Sequence, residues 1–462
     1  MSLTPPIDAA AAAATGSITE PPRRTPVRHR VDVLVVGGGS AGLMAAVAAA
    51  RRGAQVLIVE RNGYLGGTLS MVTLGSFCGL YTVTDSDVIP VVRGLAEEFI
   101  ERLGRLGGPT TPLRWLKTAS LPYDPTLIKL AADALARDAG VQLAFHSVAV
   151  AALRDGERVC GAVFESRDGR WACLADVVID GTGDGDVAAL AGAGFEHDPA
   201  LIQAPTTMFR FGGVDVARAG ALTRDELRGH LERAVAAGFD LPRTAGGAFS
   251  LRPGTMHLNI TRVVHGARAP DPLDTAELSA AEVEGRRQLG DYLQAFRAFV
   301  PGYEHCFIED IGAQIGIRES RRIRGDYWLT ADDVLHQGRF DDAVACSAWP
   351  MEEHGAGRAT LWRFLEPGTY YQLPYRMMLP AGLQGLLVAG RCASASHDAH
   401  ASMRVAAVCM ALGEAAGTAA AQAAARKQAP RDIDVGELRR QLLSQGAFIG
   451  EDAAAVSDSG TR

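Results

Sequence analysis

Val31-Asp32-Val33-Leu34-Val35-Val36-Gly37-Gly38-Gly39-Ser40-Ala41-Gly42, then an unbroken Ala-rich run to Arg52, then Val56-Leu57-Ile58-Val59-Glu60, is the stretch that decides the fold. It reads as a strand, a glycine turn, a helix and a second strand ending in an acid, the arrangement that cradles a dinucleotide. Gly37 makes the tight turn, Gly39 lets backbone approach a pyrophosphate, and Gly42 permits close packing of helix on strand. The diphosphate rests on the helix N-terminus, where unpaired N–H groups and the helix dipole favour an anion. Glu60 stands 18 residues after Gly42, close to the spacing of an acid that binds an adenosine ribose.

Other segments extend this unit. Glu60-Arg61-Asn62-Gly63-Tyr64-Leu65-Gly66-Gly67-Thr68 is a loop whose paired glycines let backbone pass close to a flavin or phosphate. Residues 94–107 form an amphipathic helix ended by glycine. Asp124-Pro125 caps another helix over 126–139. Residues 141–150, 158–164 and 170–173 read as strands separated by Asp-Gly turns. Residues 175–180 form a buried strand entering Gly181-Thr182-Gly183-Asp184-Gly185-Asp186, a second place where backbone meets a cofactor. Residues 383–390 return to a buried strand, a polar loop reaches Ser402, and a small-residue helix runs over 403–426, with a last helix over 435–444.

The bulk properties narrow the partners. The 462 residues are 47% apolar and 21% charged, an ordinary globular composition. A net charge of −7 gives no electrostatic case for nucleic acid or an anionic membrane, so a small-molecule substrate is the default and homo-oligomerisation is left open. Seven scattered cysteines without a CxxC pair argue against a disulfide scaffold, a zinc site or a dithiol centre and fit the cytoplasm. No metal site is expected. No apolar run is long enough to span a bilayer. Arg23-Arg24 precedes an apolar stretch, but that stretch is the nucleotide-binding strand and helix and is not a removable signal.

Taken together, GGGSAG (37–42), ERNGYLGGT (60–68), VVIDGTGDGDVA (177–188), IGIRESRRIRGDYWLT (315–330), YYQLPYRMMLP (370–380) and GLLVAGRCASASHDAHASMRVAAVCMALGEAAG (385–417) resemble FAD-dependent oxidoreductases. The resemblance is to the glutathione reductase-like superfamily, on the branch that holds the flavoproteins of fumarate reductase and heterodisulfide reductase, and spans roughly residues 30–448. It implies an α/β fold, a Rossmann-type FAD-binding domain with an inserted α+β substrate or cap domain. The division expected is a disordered tail (1–29), a first FAD-binding part (30–202), the insertion (203–366), a second FAD-binding part (367–428) and a C-terminal helix and tail (429–462).

The resemblance also implies FAD contacts. Gly37, Gly39, Ser40, Ala41 and Gly42 take the pyrophosphate, and Glu60 the ribose. Arg61, Gly66, Gly67 and Thr68 take the phosphate and ribityl region, and Val148 the adenine through its backbone. Gly183 and Asp184 lie near the pyrophosphate. Gly390, Arg391 and the N-terminus of the helix beginning at Met403 face the ribityl chain and isoalloxazine, where a helix dipole stabilises reduced flavin. No second GxGxxG follows a strand, so electrons enter from the substrate or a diffusible donor.

Hydride transfer at flavin N5 needs a clamp for the substrate and a group that moves the accompanying proton. His400-Ala401-Ser402-Met403-Arg404 keeps the His-to-Arg spacing of the fumarate reductase HGANR run without its middle residues, which speaks against a dicarboxylate substrate. The assignment is His397 for proton transfer, Arg404 for flavin or substrate, and His400 as a solvated loop residue. Arg318 and Arg322 share one face of an alternating strand, as an anion clamp or an Arg–Glu network pinning the insertion. Tyr371, Tyr375 and Arg376 are pocket or hinge candidates, Cys78 is a packed thiol, His257 and Asn259 reach in from the insertion, and Trp328, Trp349 and Trp362 supply core or pocket wall. The activity expected is dehydrogenation, or reversible reduction, of a small organic molecule. The alternatives are a flavin monooxygenase using NAD(P)H and O2 and a flavin-carrying electron-transfer protein within a complex; against the latter, no cysteine cluster suits an iron–sulfur centre.

Overall fold

A computed structural model describes Glu20 and residues 22–357 and 359–450. Most of the expected N-terminal tail and residues 451–462 lie outside the described residues. The first strand, β1 (Val27–Val36), begins earlier than the hydrophobic run because polar residues extend its parallel pairing with a later strand. Helix α1 (Ser40–Arg51) and β2 (Val56–Val59) follow as the glycine turn requires.

The central sheet is completed by β3 (Gln142–Ala144), β4 (Val148–Asp155), β5 (Arg158–Ser166) and β6 (Gly169–Asp180), in the order β3-β2-β1-β6-β5-β4. Residues 141–150, expected as one strand, break at 145–147, where His146 takes a positive φ of 54°. Residues 170–173 and 175–180, expected as two strands, are one. The start of β6 pairs antiparallel with β5, its length runs parallel to β1, and its end runs parallel to a short late strand, Leu386–Val388. The inner parallel strands, the second half of β1, β2 and the end of β6, are buried runs rich in Val, Ile and Leu, as strands covered on both faces demand, while β3 lies exposed at the edge.

The expected helices at 94–107 and 126–139 occupy Leu95–Arg105 and Pro125–Asp138, and Asp124 caps the second by accepting from Thr126 N–H at 2.9 Å. The polar loop expected up to Ser402 is helical from His397, as α2 (His397–Met403), and the small-residue helix expected from Met403 begins at Ala406, as α3 (Ala406–Ala425). They meet at a 90° bend, which turns Arg404 and Val405 into a corner. α3 lies against α1 at backbone distance: a Cβ on Gly413 would sit 2.1 Å from the Ala41 carbonyl oxygen, and one on Gly417 2.0 Å from that of Ala45. No single helix among the described residues is long and apolar enough to cross a membrane.

The inserted segment contains a four-stranded antiparallel sheet, in the order Gly247–Arg252, Thr255–Asn259, Phe209–Gly212, Phe307–Ile311. Its own core is aromatic: Phe209 and Phe211 of the sheet pack edge to face with each other, and Phe211 likewise with Phe296 of the Thr275–Phe299 helix, whose Tyr292 tilts against Phe209. The end of the expected insertion behaves differently. Strand Ala343–Ser347 pairs with Tyr371–Pro374, and Leu329, Val334, Val344 and Trp349 join the core of the nucleotide-binding unit. Hydrophobic burial therefore ties this stretch to the main domain rather than to the cap.

Candidate active site

A cavity of about 760 Å³ runs from the glycine turn to the underside of the cap sheet. Its first half is a groove. Gly37 takes a φ of +93°, open to glycine, and a Cβ there would lie 2.6 Å from the Gly181 carbonyl oxygen. A Cβ on Gly42 would lie 1.8 Å from the Gly37 carbonyl, so this glycine lets α1 sit down on its own turn. At Gly39, by contrast, the nearest atom to such a Cβ is 3.8 Å away. The space before the helix end is open, and no side chain caps the first-turn N–H groups.

Gly37, Gly39, Ser40, Ala41, Glu60, Arg61, Gly67, Thr68, Gly183, Asp184, Gly390, Arg391 and Arg404 all line this cavity. Gly42 and Gly66 stand behind it, the latter donating its N–H to the Gly38 carbonyl at 2.8 Å. Val148 is half exposed at the start of β4 and is not part of the lining. Glu60 is buried, accepting from Gly38 N–H at 2.7 Å and Asn62 N–H at 2.8 Å. Asp184 accepts from Arg391 at 2.6 Å and from the Ser320 hydroxyl at 2.7 Å. Burial works to raise its pKa, but Arg391 and the Ser320 hydroxyl together outweigh this and hold the carboxyl below its ordinary value.

The second half is a chamber walled by Cys78, Trp115, Trp349, Trp362 and a cluster of charges. Glu352 and His354 sit two residues apart on and just beyond strand Met351–Glu353, so both reach the same side. Glu352 Oε1 is 2.9 Å from His354 Nε2, and Trp349 Nε1 donates to Glu352 Oε2 at 3.3 Å. Burial opposes ionisation of Glu352, yet His354, Arg404 and Arg318 together hold its carboxyl at about 2. Burial, then Arg318, pushes the His354 imidazole well below its ordinary value. At neutral pH the pair is thus a carboxylate beside a neutral imidazole.

Arg318 is buried and donates to the Ala204 carbonyl at 2.6 Å. Arg404 donates to Gln203 Oε1 at 3.1 Å and to the Glu352 carbonyl at 3.3 Å. Both line the chamber. Arg322 does not share their face, because residues 312–321 are not a regular strand. It pairs instead with Glu319 at 3.1 Å and with Glu196 at 3.1 Å, so the interdomain network falls to Arg322 and the chamber to Arg318.

His397 is corrected by the structure. Its Nδ1 lies 2.9 Å from the buried Glu319 carboxylate and the residue is absent from the cavity wall. Burial disfavours its charge, but its hydrogen bond and ion pair with Glu319 raise its pKa, which makes it part of the network rather than of the chamber. His400 is not solvated either: it is fully buried, with Nε2 2.8 Å from the Arg391 carbonyl. Tyr371 and Tyr375 are core residues, bonded to Ser402 at 2.7 Å and to the Pro430 carbonyl at 2.7 Å. Arg376 pairs with Asp342. His257 is fully buried behind the wall while Asn259 reaches it. Trp328 packs under Arg322 and Arg324. Cys78 does line the chamber, but burial pushes its thiol up to about 12, which keeps it protonated.

The family model for FAD dependent oxidoreductases matches residues 32–442. The chain belongs to this family. As an FAD-dependent oxidoreductase, it takes FAD as its cofactor, and the open space at Gly39 beside the uncapped helix end fits that group. This oxidoreductase is 27% identical over 175 residues to digeranylgeranylglycerophospholipid reductase of Picrophilus torridus, covering 32% of the chain and 43% of the relative. It is 65% identical over 40 residues to thiamine thiazole synthase of Aeropyrum pernix, 9% of the chain and 15% of that protein. The chain thus spans less than half of these curated relatives. A geranylgeranyl bacteriochlorophyll reductase-like structure from Thermoplasma acidophilum aligns with a TM-score of 0.49 at 14% identity, covering 93% of the chain and 90% of that structure.

Arg243, Glu352 and His354 are site residues that sequence reasoning missed. For the last two a signal existed: an acid and a histidine at i and i+2 in a short strand share a face.

Proposed function

We propose that this oxidoreductase dehydrogenates, or reversibly reduces, a small organic molecule by hydride transfer at flavin N5. The observation that supports it is that the glycine groove and the Glu352–His354 pair with Arg318 and Arg404 open into one cavity. When bound, FAD supplies the two-electron acceptor. Gly37, Gly39, Ser40 and Ala41 would hold its pyrophosphate, Glu60 its ribose, and Arg391 with the Arg404 corner would face the flavin end.

The protein's own part is orientation and proton transfer. A substrate C–H that leaves as hydride is matched by an O–H or N–H proton that must go elsewhere. The carboxylate and neutral imidazole of Glu352 and His354 are in the form that accepts it, and Arg318 and Arg404 favour the deprotonating substrate electrostatically. Trp115, Trp349 and Trp362 give the chamber an apolar wall.

The test is an anaerobic screen of small metabolites against the purified, FAD-loaded protein, read as loss of the visible flavin band. Bleaching by one compound without NAD(P)H supports the proposal. Bleaching by NAD(P)H alone, with an oxygenated product once O2 is admitted, would replace it with a monooxygenase.

A further inference from the structure

The chamber is electrostatically unbalanced. Arg243, Arg318 and Arg404 line it, and among the described residues none of the three forms an ion pair with a carboxylate. Arg243 is the extreme case: it is 7% exposed, its Nε has no partner, and its guanidinium makes no hydrogen bond to any described residue. The nearby acid, Glu352, is already engaged by His354 and Trp349. The cations set deepest in the chamber, Arg243, Arg318 and Arg404, thus face one committed anion, with Arg114 and Arg224 at its exposed edge.

Burying a guanidinium without a counterion is costly, and such a group fits a site where a ligand supplies the charge. The perturbations agree. Burial, then Arg404 and Arg243, pushes Arg318 well below its ordinary value, and burial likewise lowers Arg243.

Beside these cations stands an aromatic wall. Trp115, Trp349 and Trp362 contact one another with ring centroids 5.7, 5.6 and 6.3 Å apart, and all three line the cavity. Trp349 ties the two features together through its bond to Glu352. Three mutually packed indoles form a rigid apolar surface that favours a flat aromatic body over a flexible aliphatic one.

We infer that the substrate is an aromatic carboxylate, its anion held by Arg243 and Arg318 and its ring set against Trp115, Trp349 and Trp362. This rests on the chamber being the substrate site of the proposed dehydrogenation and adds the class of molecule. Arg243 is the group that discriminates anion from neutral ligand, and Trp362 the one that discriminates ring from chain.

The experiment is ligand binding to the oxidised, FAD-loaded holoenzyme, read by perturbation of the visible flavin band and quenching of tryptophan fluorescence. The probes are 1-naphthoate, its neutral amide 1-naphthamide, and succinate. The expected result is naphthoate binding at least ten-fold tighter than either comparison ligand. Arg243→Gln should weaken naphthoate at least ten-fold and leave naphthamide unchanged, Arg243→Lys should restore part of the loss, and Trp362→Leu should weaken both aromatic probes alike. Equal binding of acid and amide, equal binding of naphthoate and succinate, or no binding by any probe overturns the inference. No turnover is involved, so failure of the dehydrogenase reading, seen as a flavin that substrate never bleaches, is a separate result.

Discussion

Arg391 Nη2 lies 2.6 Å from Asp184 Oδ1, joining the loop after β6 to the loop after the late Leu386–Val388 strand across the floor of the cofactor groove. The Ser320 hydroxyl donates to the same carboxylate oxygen at 2.7 Å, so three distant segments converge on one acid. Through this junction the glycine-rich turn, the returning strand and the Arg318 segment share one rigid frame.

Asp184→Asn should loosen that junction. Arg391 would lose its counter-charge, and stability should fall by about 1.5–3 kcal/mol, the range for hydrogen bonds to charged groups. The carboxyl is held below its ordinary pKa, so its contribution is present above the ordinary carboxylate range and disappears as the pH falls through the lowered value. Denaturant unfolding of the holoenzyme at pH 7 and in acid measures both, and flavin fluorescence after dilution measures the expected faster loss of FAD.

Glu352→Gln should slow flavin reduction by substrate about 100-fold, in the range of general acid–base effects, with FAD content unchanged. Because the wild-type carboxyl sits at about 2 and its histidine is already neutral, the wild-type rate should show no titration at the ordinary histidine value of about 6.5. Stopped-flow reduction across pH 5–9, a range of ordinary buffers spanning roughly the histidine region, checks this; a limb near that value assigns the proton to another group.

Glu414 offers a stability test away from the chemistry. This buried residue of α3 accepts from Leu95 N–H at 3.0 Å, its other oxygen has no partner, and burial raises its carboxyl to about 7. A raised pKa means that its contribution is complete below the unfolded value and is lost as pH rises through about 7. Glu414→Gln keeps the acceptor without the charge, so the variant should be more stable than wild type at pH 8.5 by about 2–3 kcal/mol and near parity at pH 5. Urea unfolding at the two pH values decides it.

Gly413→Ala places a methyl 2.1 Å from the Ala41 carbonyl oxygen, at the very turn of α1 that faces the pyrophosphate space. Overpacking here should cost about 1–3 kcal/mol and weaken FAD retention together. A variant that loses stability but keeps FAD affinity would show that the helix contact does not position the groove.

Much of the frame was legible because its signals are local. The 37–42 turn, the buried valines and the Asp124-Pro125 cap each act within a few residues, and they appear where their chemistry puts them. What was not legible depends on distant partners. His397 and Arg322 look free in the sequence, but the buried Glu319 claims both, and whether a charged residue faces a ligand or a neighbour is settled only by the fold. Arg243 gives no local signal at all. Residues 397–402 read as a polar loop, yet they form most of α2, and the helix expected from Met403 starts at Ala406 after a bend that no local signal marks.

The most direct test of the central claim is the anaerobic rate of flavin bleaching by a substrate carrying deuterium at the carbon that gives up hydride. The account predicts bleaching without NAD(P)H and a primary isotope effect on that step. Flavin reduced only by NAD(P)H, with no isotope effect from the labelled substrate, would contradict it.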